Sequence, residues 1–305
     1  ARAAAISQPA LSMQIRELEA AVGVPLVERR ARRVEITEAG REVARRATAI
    51  LKAVTDLQDV GGAYAAGGQG GLAGRLSLGM IPTVAPYLLP TLLGRLVEAA
   101  PDLELSVRES QTETLLDDVG RAELDAALVA LPAIRDGLVS MPLIGEPFLL
   151  LRRRGDGPPL QQREAPAKAD PAMLSDQRLL LLEEGHCLRD QALSFCTTAG
   201  AATGGDTLSV SSLSTLAQMA EAGMGVTLIP AMAARVEVRS DTLECLEFGR
   251  NGPSRVLGLV WRATSPVAER FEAFGRIVGE AARSVLGTSA TGLAPSAATD
   301  ERPAP

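Results

Sequence analysis

The sequence predicts an α/β protein in two parts, a small basic module at the N-terminus and a larger acidic body. The 305 residues carry a formal net charge of −6, yet residues 1–60 hold ten Arg and Lys against eight Asp and Glu. Further along the chain, apolar runs of strand length alternate with amphipathic helical patterns, as in a sheet covered by helices. A basic front on an acidic body is typical of an anion-binding module attached to a larger domain.

The segment from Ser7 to Gly23 is predicted to form a short helix. Ser7 is a suitable N-cap, Pro9 fits the first turn, and Gly23 fits the C-cap. The apolar residues recur at spacings of four, three and four, so they share one helical face. They are Leu11, Ile15, Leu18 and Val22.

Two short extended runs, 25–27 and 34–37, flank the stretch RRARR and predict a small hairpin with a basic tip. From Glu38 to about Ala66, a heptad pattern predicts a long helix. Its seam consists of Val43, Ala47, Ile50, Val54 and Leu57. A seam of barely two heptads leaves two readings open, a helix packed on its own domain and a two-helix dimer.

The uncharged stretch 61–74 holds seven glycines and predicts a hinge, which we place at 67–75.

The alternating strand and helix patterns beyond the hinge predict a mostly parallel sheet. About 210 residues suit two α/β lobes, the second at 150–250. The strand candidates are RLSLGMI, LELSVRE, LDAALVAL, PFLLLRR, RLLLLE, TLSVS, GVTLIP and RVLGLVW, and the helix candidates are 86–99, 113–121, 188–199, 213–222 and 267–285. The Ala-, Ser-, Thr- and Pro-rich tail, 287–305, is predicted to be disordered.

Composition narrows the class of protein. No apolar run reaches the length of about 18 residues that a membrane helix needs, and no secretory signal is visible. Three cysteines are too few for a disulfide scaffold, so a reducing, cytoplasmic location is expected. One His and three Cys without close-spaced pairs do not make a metal site, and we expect no cofactor.

The stretch EEGHCLRDQALSFC, 183–196, holds the only histidine and two of the three cysteines. The apolar run before it predicts a strand ending near Gly185, which places Cys187 near a helix start, where the helix dipole favours an anion. His186 and Arg189 add positive charge beside this sulfur. The residues alone allow an inert helix, a hydrolase nucleophile or a redox switch. A hydrolase is disfavoured, because neighbouring Cys and His side chains rarely meet and no second His is present.

Residues 2–40, RAAAISQPALSMQIRELEAAVGVPLVERRARRVEITEAG, resemble the winged helix-turn-helix of LysR-type transcriptional regulators. The matching residues are Ser7, Gln8, Pro9, Leu11, Ser12, Ile15, Leu18, Glu19, Gly23, Leu26, Arg29, Thr37, Ala39 and Gly40. The resemblance implies a DNA-binding domain at 1–40, whose first helix in the family precedes Ala1, and a dimerisation helix at 41–66. It also implies a periplasmic-binding-protein-like regulatory domain of two Rossmann-like lobes at 76–286.

In this family the recognition helix lies in the major groove and the wing contacts the backbone. Gln8 and Arg16 can bind base edges, and the wing arginines suit phosphates. The full set of expected DNA contacts is Ser7, Gln8, Pro9, Ser12, Gln14, Arg16, Arg29, Arg30, Arg32 and Arg33. The implied partners are promoter double-stranded DNA, further copies of the chain in a homodimer or homotetramer, and RNA polymerase.

The segments MIPTVAPYLLP, 80–90, and GHCLRDQALSFC, 185–196, resemble the hydrogen-peroxide sensors within this family. The resemblance implies that peroxide oxidises Cys187 to a sulfenic acid, which condenses with Cys196 to give a disulfide and so activates an oxidative-stress response. The implied peroxide pocket consists of Thr83, His186, Arg189 and Asp190. Cys245, in the strand-like TLECLEF, is expected to be a core residue.

The spacing of the two cysteines has a consequence for this chemistry. If 188–195 is helical, nine residues span about 13 Å, whereas a disulfide needs Cα atoms within about 4.4–6.8 Å. The helix and the bond would therefore exclude each other. The main alternative is a LysR-type regulator that binds a small organic effector between its lobes. A free-standing solute-binding protein fits the lobes but does not explain the DNA-binding front.

Overall fold

The computed structural model describes residues 7–30, 33–65, 72–156, 168–169, 174, 177–198, 208–249 and 252–287. The chain forms two compact units, and the main boundary between them falls between Gln58 and Asp59. No helix in these ranges is both long enough and apolar enough to span a membrane.

The first unit begins with α1, Gln8–Val22, which confirms the predicted helix. The Ser7 hydroxyl accepts a hydrogen bond from the Ala10 N–H, and Gly23 ends the helix in a left-handed conformation with a φ of +80°. Strands β1, Val27–Arg30, and β2, Arg33–Ile36, pair antiparallel and confirm the hairpin. The local capping and turn signals of the sequence therefore suffice to define this unit.

Side chains join α1 to the hairpin and the hairpin to α2, Glu38–Ala65. The Glu19 carboxylate accepts hydrogen bonds from the backbone N–H groups of Leu26 and Val27, at 2.7 and 3.1 Å. Thr37 donates its hydroxyl to the Pro25 carbonyl and accepts from the Gly40 N–H, both at 2.9 Å. A Cβ on Gly40 would overlap the Leu26 carbonyl oxygen, so this close approach requires glycine.

The glycine-rich stretch is shorter than the sequence predicted. Helix α2 continues through Gly61 and Gly62 to Ala65, and β3 begins at Gly74. Residues 66–71 lie outside the described part of the chain, as does the predicted disordered tail from residue 288 to residue 305. The hinge at 67–75 thus stays a prediction for residues 67–71, whereas its last two residues belong to a strand.

The second unit is an α/β body with ten strands and six helices in its described residues. The strands are β3 Gly74–Met80, β4 Leu103–Glu109, β5 Ala126–Leu131, β6 Leu138–Arg153, β7 Lys168–Ala169, β8 Leu180–Leu182, β9 Leu208–Val210, β10 Thr227–Pro230, β11 Leu243–Phe248 and β12 Ser254–Arg262. The helices are α3 Ala85–Ala99, α4 Thr112–Gly120, α5 Cys187–Thr198, α6 Leu213–Glu221, α7 Ala231–Glu237 and α8 Ala268–Leu286. The predicted α/β class is confirmed.

The main sheet has the order β4-β3-β5-β12-β6-β11-β7, with β10 also paired to β6, while β8 and β9 form a separate pair. We call β3–β5, β12, α3, α4 and α8 the first lobe, and β7–β11 with α5–α7 the second lobe. The 16-residue strand β6 runs through both.

The expectation of a mostly parallel sheet was wrong at the centre. Strand β3 is parallel to β4 and β5, but β6 pairs antiparallel with β12, β10 and β11. The sequence signal covered only the apolar second half of β6, because its first half contains Ser140, Pro142 and Gly145. The short α7 and β7 were also missed.

A buried ion pair links the two lobes. The side chains of Arg255 on β12 and Glu146 on β6 are both 0% exposed, and their charged atoms lie 2.8 Å apart. The second Glu146 oxygen accepts the Met232 N–H in the first turn of α7, at 2.9 Å. Because each charge is neutralised only by the other and its hydrogen bonds, neither can be removed alone without a large cost.

Replacement of Glu146 with Ala should lower the free energy of unfolding by about 3–5 kcal/mol, because it leaves the Arg255 charge buried without a partner. Urea unfolding followed by circular dichroism measures this. Glu104→Ala is the matched control, since the Glu104–Arg75 pair is 73% and 80% exposed and its loss should change stability little. Equal losses in the two variants would contradict the importance of the buried pair.

Candidate functional site

The cysteine segment folds as a strand, a turn and a helix. Strand β8 ends at Leu182, and α5 begins at Cys187, so the predicted position of this sulfur at a helix start is confirmed. Gly185 has a φ of +90°, a left-handed conformation that suits glycine and turns the chain toward the helix. The His186 carbonyl accepts the Arg189 N–H at 2.9 Å. The turn thus presents His186 and Cys187 together.

Both residues line an open cleft of about 170 Å³ between the two lobes. Its lining consists of Ile81, Pro82, Thr83, Gln111, Thr112, Gly185, His186 and Cys187. The fold therefore brings Thr83, His186 and Cys187 of the predicted site to one place, although about one hundred residues separate Thr83 from Cys187 in sequence. Arg189 and Asp190 are not part of this lining, because they follow Cys187 on α5 and leave the turn that faces the cleft.

Thr83 and Thr112 both line the cleft, and their hydroxyls differ in hydrogen bonding. Thr83 is buried, and its hydroxyl oxygen accepts a hydrogen bond from Arg255 Nη1 at 2.7 Å, so its own proton is free for donation. The Arg255 Nη2 group also donates to the Thr83 carbonyl, at 3.0 Å. The Thr112 hydroxyl oxygen is buried and has no hydrogen-bond partner among the described residues. An unpaired buried hydroxyl is costly, so this position suits a small polar ligand.

Sequence reasoning missed Thr112 and Arg255. Thr112 gave no signal beyond its position before a helical pattern. Arg255 gave a weak signal, since it is the charged first residue of the strand candidate RVLGLVW, and a charge that is buried in a strand needs a partner or a function.

Arg189 and Asp190 lie outside the lining of the cleft, and their role in a peroxide pocket stays a prediction. Arg189 donates from Nη1 to the Leu182 carbonyl at 3.0 Å and to the Ser209 hydroxyl at 2.9 Å. It therefore ties the first turn of α5 to β8 and β9. Asp190 is exposed on the helix. His186, by contrast, is buried beside the cleft, with 8% of its surface exposed.

Cys196 is locked in the core by the helical conformation of α5. It is 1% exposed and shares a buried face with Leu188 and Ala192, and burial raises the pKa of its thiol. Phe195, on the same turn, meets the Phe248 ring edge-on at 5.1 Å. Nine residues of helix place Cys187 and Cys196 about 13 Å apart along the axis, and both are free thiols here. A disulfide between Cys187 and Cys196 is therefore incompatible with the observed helix, as expected.

Cys245 lies on β11 opposite Leu151 of β6 and packs against the core. Burial raises the pKa of its thiol to about 12. It lies outside the cleft lining, and this thiol is unreactive near neutral pH. Among the residues that the structure describes, no cluster of His, Cys, Asp and Glu could hold a metal ion.

The first unit presents most of the described residues among its predicted DNA contacts at the surface. Ser7, Gln8, Pro9, Gln14 and Arg16 of the recognition helix are exposed, and Ser12 is half-buried. Arg33 on the wing is exposed. Arg32 and the side chains of Arg29 and Arg30 lie outside the described residues. The contact roles of all these residues stay predictions.

Comparison with known proteins identifies the class. Residues 1–41 match the model of the bacterial regulatory helix-turn-helix proteins of the lysR family, and residues 69–283 match the LysR substrate binding domain. The chain belongs to the LysR family of regulatory proteins.

The similar proteins define the branch of that family. The probable hydrogen peroxide-inducible genes activator of Mycobacterium avium is 41% identical over 280 residues, covering 92% of this chain and 87% of that protein. The DNA-binding transcriptional dual regulator OxyR of Escherichia coli K12 is 40% identical over 269 residues, covering 88% and 84%. The predicted resemblance to the peroxide-sensor subfamily, the OxyR group, is confirmed.

Solved structures agree with this assignment. A hydrogen-peroxide-bound cysteine-to-serine mutant of Corynebacterium glutamicum OxyR superposes with a TM-score of 0.68 at 35% identity, covering 93% of this chain and 87% of that one. A full-length cysteine-to-aspartate mutant of Pseudomonas aeruginosa OxyR gives a TM-score of 0.71 at 32% identity, covering 90% and 89%. The similarity thus includes both the helix-turn-helix unit and the two-lobed body.

The three thiols should differ in their rates of alkylation. With iodoacetamide near pH 8, Cys187 should react first, and Cys196 and Cys245 at least about tenfold more slowly, because burial disfavours their thiolates. Labelling of Cys245 should still rise with pH as its pKa of about 12 is approached. Mass spectrometry of the peptides measures all three rates, and equal rates would contradict the burial seen here.

Proposed function

We propose that the protein is a DNA-binding transcriptional regulator of the oxidative-stress response that senses hydrogen peroxide through a reversible Cys187–Cys196 disulfide, and that it is not an enzyme. One observation carries the proposal. Cys187 opens a helix in a small cleft, beside buried His186 and opposite the hydroxyls of Thr83 and Thr112.

The size of the cleft supports peroxide over an organic effector. Pockets for organic ligands typically have volumes of about 300–1,000 Å³, whereas the empty space of this cleft is about 170 Å³ even when the open solvent at its mouth is included. Its polar lining consists of the Thr83 and Thr112 hydroxyls, the Gln111 amide and the His186 imidazole, which suit a small molecule with two O–H groups. The alternative, a regulator of the same family with an organic effector, is therefore less well supported.

The chemistry follows from these groups. The Cys187 thiolate attacks one peroxide oxygen, so that an S–O bond forms, the O–O bond breaks and sulfur is oxidised by two electrons. The departing hydroxide takes a proton and leaves as water, and Thr83, Thr112 and His186 are placed to stabilise the charge on it. The Cys196 thiol then attacks the sulfenic sulfur. An S–S bond forms, the S–O bond breaks and a second water is released.

The second step requires α5 to unwind, since the helix holds the sulfurs too far apart. Unwinding separates Arg189 from Leu182 and Ser209 and exposes the face that holds Leu188. In this proposal, Arg189 and Asp190 therefore stabilise the folded helix and do not contact peroxide directly. The refolded segment changes the packing of regulatory domains and with it the contacts to promoter DNA.

The quaternary arrangement belongs to the same proposal. The seam residues Ile50 and Val54 of α2 are 65% and 51% exposed, which supports pairing with a second copy of the helix. We propose a homodimer or homotetramer that binds double-stranded promoter DNA in the cytoplasm and acts with RNA polymerase.

Substitution of Cys187 with Ser should abolish the peroxide response, because the nucleophile is lost. Cys196→Ser should stop the reaction at the sulfenic acid, and the matched control Cys245→Ser should respond normally. DNA binding before and after peroxide, with disulfide mapping by mass spectrometry, measures these outcomes. A normal response in Cys187→Ser would favour the organic-effector alternative, and a Cys187–Cys245 bond would overturn the pairing.

Arg30→Ala should weaken binding to all DNA sequences and reduce the slope of log affinity against log salt by about one, because one phosphate contact is lost. Titrations at several salt concentrations measure the slope. Arg75→Ala removes the same charge from the exposed surface of the second unit and should leave the slope unchanged. An unchanged slope in Arg30→Ala would contradict the phosphate contact.

A further inference from the structure

Gln111 lies at the border of the cleft on a fixed piece of backbone. It follows β4 and directly precedes α4, and its carbonyl accepts the Leu115 N–H at 3.0 Å. The preceding residue, Ser110, donates its N–H to the Met80 carbonyl at 3.2 Å. The Gln111 side chain therefore extends from a rigid point of the first lobe.

That side chain contacts the turn that leads to Cys187 in the second lobe. The Gln111 Nε2 group donates to the Glu184 carbonyl at 3.3 Å. The amide also packs against Gly185, where a Cβ would come within 2.8 Å of both its nitrogen and its carbon Cδ. Since Gly185 has a φ of +90°, a side chain at this position would strain the backbone and would also displace the Gln111 amide.

The contact spans the cleft between its two reactive sides. Thr112, the residue after Gln111, brings an unpaired hydroxyl. Glu184 precedes Cys187 by three residues, with only the tight turn between them. One uncharged amide thus connects the segment that carries the Thr112 hydroxyl to the turn that carries the Cys187 sulfur.

We infer that Gln111 is a positioning residue for the reaction of Cys187 with peroxide, holding the 183–186 turn so that the sulfur faces the cleft hydroxyls. The inference rests on the proposed function and deepens it. In-line attack on the O–O bond requires correct alignment of the sulfur with the groups that stabilise the departing oxygen. Small misplacements slow such reactions strongly. Alkylation requires only an accessible thiolate and has no such requirement.

The test isolates the first chemical step in the full chain carrying Cys196→Ser. Gln111→Met keeps the side-chain length, removes the hydrogen bond and changes an exposed residue, so the core is preserved. Gln218→Met makes the same change on the exposed side of α6 and is the matched control. Two rates are measured at Cys187 by peptide mass spectrometry: sulfenic acid formation with hydrogen peroxide, trapped by dimedone, and alkylation by iodoacetamide.

Gln111→Met should react about fivefold more slowly with peroxide, as expected for the loss of one neutral hydrogen bond, while its alkylation rate and both rates of Gln218→Met stay unchanged. A parallel fall of both rates, or no change in either, would overturn the positioning role. Absence of sulfenic acid at Cys187 when Gln111 is intact would instead contradict the proposed function, and this inference with it.

Discussion

The wall of the cleft opposite Cys187 depends on the buried pair of Arg255 and Glu146. Two charges in the interior are stable only when each satisfies the other, so the strands and the helix start that carry them are held in one arrangement. Arg255 uses its remaining donors on Thr83, which fixes the hydroxyl and orients its proton away from the guanidinium. The Arg255 side chain thus belongs both to the buried ion pair and to the wall of the cleft.

The opposite wall is held in a different way, by the packing of α5. Leu188, Ala192 and Cys196 occupy one buried face of this helix, and Arg189 secures its first turn. The same burial that stabilises the helix keeps the Cys196 thiol protonated and out of reach. In the proposed mechanism, the reduced fold therefore protects the second cysteine until the first has reacted. The packing of α5 thus links the stability of the reduced fold to the reactivity of the Cys196 thiol.

Local signals in the sequence predicted the elements that depend on local chemistry. Ser7 and Gly23 cap α1 as expected, and the apolar run before Gly185 correctly placed Cys187 at a helix start. Features that depend on distant partners were not predictable in this way. The course of β6 through both lobes follows from its pairing with β12, which lies about one hundred residues away. The role of Arg255 likewise depends on Thr83 and Glu146, which are more than one hundred residues away in sequence.

The contact between Phe195 and Phe248 affects how long α5 stays folded. A sulfenic acid that waits for its partner is exposed to a second peroxide molecule, which converts it irreversibly to a sulfinic acid. In the proposed mechanism, the time for which α5 stays folded after the first oxidation therefore decides between a recoverable signal and permanent damage. An aromatic pair worth about 0.5–1.5 kcal/mol beyond its buried area lengthens that time severalfold. Its strength would set the highest peroxide concentration at which the sensor can still be reset.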